Sequence, residues 1–139
     1  MDYVFSHLSE LGEGPGFRKV RAAMDIEAFG VNAIVLPAHG EAFWHYHDTQ
    51  DELYFVHAGT ARFEVADEDD TVTAIRELGP GGLFHAQAAV HRRMSNAGEE
   101  ELVVLVVGAS GGYIGRDGQL VNHEADIERR QKMDTTPQD

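Results

Sequence analysis

Apolar and polar positions alternate along much of the chain in short runs. Between Ala61 and Val65, the apolar Ala61, Phe63 and Val65 are separated by Arg62 and Glu64. That period of two fits a strand with one buried face. Comparable runs stand on either side. "VNAIVLP" (Val31–Pro37) is β-branched and stops at proline, "AFWHYH" (Ala42–His47) is aromatic, and "ELYFVHAG" closes on Gly59. "TVTAIREL" follows the acidic "DEDD" (Asp67–Asp70), which reads as a solvated hairpin loop. After the turn "GPGG" (Gly79–Gly82) come "LFHAQAAVHRRMSN", a loop at "NAGEEE" and the apolar run "LVVLVV" (Leu102–Val107).

Short strands broken by turn chemistry, with no long helical pattern between them, predict an all-β antiparallel sandwich or barrel. The ends read differently. Residues 1–27 form an irregular arm with a strand near Phe17–Ala23. "NHEADIERRQKM" (Asn122–Met133) reads as a short amphipathic C-terminal helix with an asparagine cap, followed by a frayed tail. The expectation is a single domain over 1–139, with its barrel core at about 28–108 and the helix and tail at 116–139.

Charge narrows the partners. The 139 residues carry 11 Lys and Arg against 24 Asp and Glu, a net −13. Such a surface repels phosphate backbones and anionic lipid, so neither nucleic acid nor a membrane is an expected partner. The lack of cysteine excludes disulfides, thiolate metal ligands and cysteine nucleophiles. "MDYVFSHLSELGEG" has no basic n-region and no apolar run of secretory length, and no stretch nears the roughly 20 apolar residues of a spanning helix. A cytoplasmic location is therefore expected.

"WHYHDTQDE" (Trp44–Glu52) carries the chemistry. On a strand, His45 and His47 point the same way, about 6–7 Å apart. Glu52 leads the next strand, and an antiparallel return would set its carboxylate beside them. His91 offers another imidazole later in the chain. Three neutral nitrogens and one carboxylate without sulfur suit one divalent transition metal: Fe, Mn, Ni, Co or Zn. The bland alternative is a polar strand end that happens to bear histidines.

The same parity turns Phe43, Tyr54 and Val56 inward and Trp44 and Tyr46 outward. Arg93 either faces inward, where it would anchor a substrate carboxylate, or is turned outward by a bulge before Asn96. His85 reads as a proton shuttle into the pocket or, more commonly, as a structural histidine. A rival motif, "LVVLVVGASGGYIG", opens like a dinucleotide-binding turn. That unit needs a long helix and a second parallel strand, and Arg116-Asp117-Gly118 breaks the chain at once. Gly108–Gly115 then reads as a loop leaving the barrel.

"HGEAFWHYHDTQDELYFVHAG" resembles the first motif of the cupin superfamily. The pair is His45 and His47, four residues separate His47 from Glu52, and six separate Glu52 from Gly59. Gly40 stands one residue closer to the pair than is usual. "GPGGLFHAQAAVHRRMSN" resembles the second motif more loosely. Gly81 or Gly82 opens it, Ala86 and Ala88 replace the usual proline and glycine, and Asn96 follows His91 after four residues rather than three. The resemblance covers roughly Ala28 to Gly108. It implies a double-stranded β-helix (jelly-roll) barrel with a metal inside one end.

What the resemblance implies for function is a metal-dependent, dioxygenase-like oxidoreductase acting on a small acidic or phenolic substrate. In that reading Glu52 both holds the ion and accepts a proton, with Phe43, Tyr54, Val56, His85 and Arg93 around the substrate. A non-oxidative isomerase, lyase or decarboxylase, or a non-catalytic small-molecule binder, are the alternatives. Small cupins commonly pair, so a homodimer burying the N-terminal segment or the Trp44/Tyr46 face is also expected.

Overall fold

The structure, a computed structural model, describes residues 2–109 and 117–121. The helix expected at Asn122–Met133 and most of the glycine-rich loop lie outside the described residues. A short 3-10 turn, Leu8–Glu10, precedes β1 (Gly16–Arg18) and a five-residue helix α1 (Val20–Met24). The strand expected near Phe17–Ala23 is thus only β1, and the chain turns helical directly after it. The remaining strands are β2 (Gly30–Leu36), β3 (His45–His47), β4 (Asp51–Ala58), β5 (Ala61–Ala66), β6 (Val72–Leu78), β7 (Leu83–Ala86), β8 (His91–Asn96), β9 (Leu102–Ala109) and β10 (Gly118–Leu120).

They form two five-stranded antiparallel sheets, ordered β1-β2-β9-β4-β7 and β10-β3-β8-β5-β6. This is the expected all-β jelly-roll. Alternation in the sequence becomes alternation of faces: along β9 every second residue, from Leu102 to Gly108, is buried. Tyr54, Val56, Phe63, Met94, Leu102 and Val104 meet in the interior. Val56, Leu102 and Val104 expose no surface, and each such burial contributes about 1.5–3 kcal/mol relative to exposure. The rings of Tyr54, Phe63 and Phe84 pack with centroids 4.9–5.5 Å apart.

Asn96 ties the strand ends together. Its Nδ2 donates to the carbonyls of Leu36, Pro37 and Glu100, and its Oδ1 accepts from the Gly98 N–H. All its polar capacity is therefore met inside the protein, which is what permits its burial.

One crossing positions the site. β3 and β4 do not form the expected hairpin: they lie in different sheets, and Asp48–Gln50 carry the chain from one to the other. Glu52 consequently faces the histidines across the interior instead of standing beside them on a neighbouring strand.

Gly59 closes β4 with φ +82°, and a Cβ there would lie 2.7 Å from the Glu101 carbonyl oxygen and 2.9 Å from the Leu102 Cα. Backbone rather than a flexible side chain is in the way, and the left-handed conformation adds strain. Gly59→Ala should destabilise the fold by about 1–3 kcal/mol, read as a lower urea midpoint. An unchanged midpoint would mean that this turn relaxes freely.

Candidate functional site

β3 aims His45 and His47 into the interior, and the start of β4 aims Glu52 at them. One ligand-type atom from each of the three lies within 4.8 Å of the others. Nε2 of His47 is 3.0 Å and Nε2 of His45 3.5 Å from the same carboxylate oxygen, Oε1 of Glu52. The three side chains keep 9–16% of their surface exposed, so the cluster sits near the mouth of the barrel end and not in the sealed core.

The other ring nitrogens are occupied. Nδ1 of His45 faces the Phe43 carbonyl at 3.3 Å, and Nδ1 of His47 faces Oδ1 of Asp117 at 2.7 Å. Both partners only accept. Gln50 Nε2 also lies 3.4 Å from Nδ1 of His47, but Asp117 is much nearer and takes a hydrogen bond from that amide itself. This places a proton on each Nδ1 and leaves each Nε2 with its lone pair toward Glu52. Nε2 of His47 is buried without a hydrogen-bond partner; Glu52 is near but out of line. For bonds of about 2.1 Å, the ligand-to-ligand edges of octahedral or tetrahedral coordination are about 3.0–3.4 Å, close to the two distances found. The cluster fits a metal site.

Asp117, just ahead of β10, is a support that sequence reasoning missed. Its Oδ2 accepts from the Thr49 N–H and hydroxyl and from the Gln50 N–H, while Gln50 Nε2 donates to Oδ1. Burial opposes its charge, but these donors and His47 hold its carboxyl well below the usual range. A carboxylate behind a histidine fixes the ring's tautomer and orientation. The two imidazoles are then driven apart. Burial lowers the pKa of His45; burial acts the same way on His47, but Glu52 and Asp117 outweigh it and raise the net value.

The fourth inward position belongs to Arg92, not His91. Arg92 pairs directly across from His45 on β3 and is 1% exposed. Its Nη2 donates to Oε1 of Glu52 at 2.7 Å and its Nε to the Tyr54 hydroxyl at 3.3 Å, while Tyr54 donates to the same Oε1 at 2.8 Å. Nη1 donates to the carbonyls of Val90 at 2.7 Å and Ala88 at 3.0 Å. Burial opposes charge on Glu52, yet the facing imidazoles of His45 and His47 outweigh it and keep its carboxyl well below the ordinary range. Burial and the Glu52 charge push the Tyr54 phenol up, so it stays protonated and donating.

The residues on either side of Arg92 therefore face outward. His91, expected as a metal ligand, stacks on Tyr46 at 4.7 Å, with Nδ1 3.6 Å from Asp70. Arg93, for which both orientations were open, turns away: it binds Glu64 at 2.8 Å and lies over the Trp44 ring. No inward carboxylate anchor is available from it. His85 is on the outer face too, 56% exposed and 3.2 Å from Asp51. Phe43 does reach the cluster, edge-on to His45 at 5.3 Å. Tyr54 is part of it through its hydroxyl, whereas Val56 lies deeper, wholly within the core. One signal could have found Arg92: three residues separate it from Asn96, the interval that the second motif ordinarily keeps after its histidine.

Comparison with known proteins agrees with this architecture. A cupin protein from Bacteroides fragilis superposes with a TM-score of 0.64 at 16% identity, covering 91% of this chain and 94% of that one. An oxalate oxidase in complex with the substrate analogue glycolate gives a TM-score of 0.65 at 15% identity, over 85% of this chain and 63% of the other. A DMSP lyase from Ruegeria pomeroyi gives 0.55 at 21% identity, over 68% of this chain and 43% of the other. The chain thus spans only part of either enzyme, and at these identities the likeness is one of fold. A search among curated proteins found no match. The model of the cupin domain family matches residues 33–108, more than half of the sequence: the chain belongs to the cupin family.

Proposed function

We propose that this cupin is a metal-dependent enzyme acting on a small organic substrate, with one divalent transition-metal ion held by His45, His47 and Glu52. The observation that carries this reading is the pair of Nδ1 acceptors, Phe43 carbonyl and Asp117, which turn both Nε2 lone pairs onto one carboxylate. Two imidazoles and one carboxylate with the remaining positions open is the donor set of non-haem iron oxygenases, so dioxygenase-like oxidation is the first reading. When bound, the ion supplies polarisation of a coordinated substrate oxygen or electron density for dioxygen. The chain's own groups do the rest. Arg92 and Tyr54 hold Glu52 in place, Asp117 holds His47, and Phe43 with the packed Tyr54, Phe63 and Phe84 rings keeps bulk water away. Glu52 also stands as the proposed proton acceptor, although the donors crowded on Oε1 make it a weak base.

Pairing of two chains is a further part of the proposal. Trp44 and Tyr46 are covered by their own chain's Arg93 and His91, which leaves the N-terminal segment as the contact. Tyr3 and Phe5 there are 71% and 90% exposed, an apolar pair that a second copy would cover. Light scattering at tens of micromolar should give twice the chain mass, and Tyr3→Ser/Phe5→Ser should shift it to the monomer. A monomeric wild type removes this part. No helix among the described residues is long and apolar enough to cross a membrane.

Elemental analysis of protein purified without chelators should find close to one transition-metal ion per chain. His47→Ala should fall well below that. Asp117→Ala should weaken metal affinity about 10- to 100-fold and also lower the urea midpoint, because the Thr49 and Gln50 donors lose their acceptor. Full occupancy in a His45→Ala/His47→Ala double variant would sink the assignment.

An oxygen electrode then separates reaction types. Iron-loaded protein should consume oxygen with at least one member of a panel of small acids and phenols, and Glu52→Gln should lower turnover more than it lowers iron content. If no oxygen is consumed across the panel, the non-oxidative isomerase, lyase or decarboxylase reading replaces the oxidative one.

A further inference from the structure

Arg92 changes what kind of ligand the cluster can take. Its guanidinium is permanently charged and has no lone pair, so it cannot coordinate an ion. It occupies an inward position opposite His45 where an imidazole would have added a fourth ligand. Two consequences follow for an ion held by His45, His47 and Glu52. Only three protein ligands remain, which leaves about three of six positions free in octahedral geometry. The charge also differs by one. Glu52 and Asp117 bring two negative charges and Arg92 one positive, so a divalent ion leaves the cluster at +1, where a neutral residue at 92 would leave it at zero.

An uncompensated positive charge in a nearly buried cluster is unfavourable, and an anion arriving at the open positions removes it. We infer that Arg92 makes this a site for a small carboxylate that chelates through two adjacent oxygens, such as a 2-oxo or 2-hydroxy acid, in preference to neutral molecules of the same shape. The inference rests on the metal reading above and names the substrate class for it. Arg92 acts here as a specificity-determining residue through its charge. Its hydrogen bonds go to Glu52, Tyr54 and the carbonyls of Gln87, Ala88 and Val90, so the carboxylate is drawn to the ion and Arg92 supplies the field.

The test uses cobalt(II)-loaded protein, whose visible absorption reports ligands entering the open positions, titrated with pyruvate and with its uncharged methyl ester. Wild type should bind pyruvate at least tenfold more tightly than the ester. Arg92→Lys, which keeps the charge, should retain that preference. Arg92→Gln should reduce it to under threefold while still holding cobalt. Arg92→His, able to add a ligand, should bind cobalt at least tenfold more tightly than wild type and also lose the preference, which secures the comparison if the glutamine variant fails to fold. A tenfold preference surviving in a cobalt-loaded Gln or His variant, or absent from cobalt-loaded wild type, overturns the inference and leaves the metal reading standing. Wild type that takes up no cobalt or other divalent metal overturns both.

Discussion

One carboxylate oxygen organises this end of the barrel. Oε1 of Glu52 accepts from Arg92 and Tyr54 and lies within 3.5 Å of both inward imidazoles. A buried charge with so many neighbours is costly to disturb, since removing any one partner leaves another unmet in a region of low dielectric. The arrangement exists because the chain changes sheets between His47 and Asp51. A hairpin would have placed the acid alongside the histidines. The crossing places it opposite, so that ligand-type groups from the two sheets converge between them.

Much of this was legible in the sequence because strand parity is local. The alternation in β9, the apolar interior and the inward pair His45 and His47 follow from a period of two and need no distant information. Glu52 was legible as a partner, though not its route. The limit of parity is that it must start from a fixed residue. In β8, "HRRMSN", histidine and arginine occupy adjacent positions, and either can be turned inward by shifting the frame one residue. A frame that turns His91 inward turns Arg93 inward too, unless a bulge intervenes. The structure takes the other frame, in which Met94 enters the core opposite Phe63 and Arg92 opposite His45. Apolar Met94, an even number of residues from Arg92, held the information; the histidine's chemical appeal obscured it.

Asp117 was not legible for a different reason. It lies 70 residues from His47, within a segment whose only local signal was a break in the chain. Its role depends on β10 pairing with β3, with Gly118 opposite His47. A three-residue strand has too few positions to declare a period, so contacts made by such strands are set by tertiary packing. The outward ion pair of Arg93 with Glu64 depends on distant pairing as well, through the register of β8 on β5.

The net charge of −13 now takes on a second meaning. Outside, it repels anions at long range, yet that repulsion is screened beyond about 8 Å at physiological salt. Inside, Arg92 acts over hydrogen-bond distances on a carboxylate it touches at 2.7 Å, in surroundings where screening is weak. The two effects act on different ligands. A polyphosphate extends into the solvent and meets the repulsive surface along its length, whereas a small carboxylate fits within the local field and is barely affected by the outer charge. With the proposed ion bound, an acidic exterior around that cation would favour small anions over large ones, so that size and charge would select together without a basic surface patch.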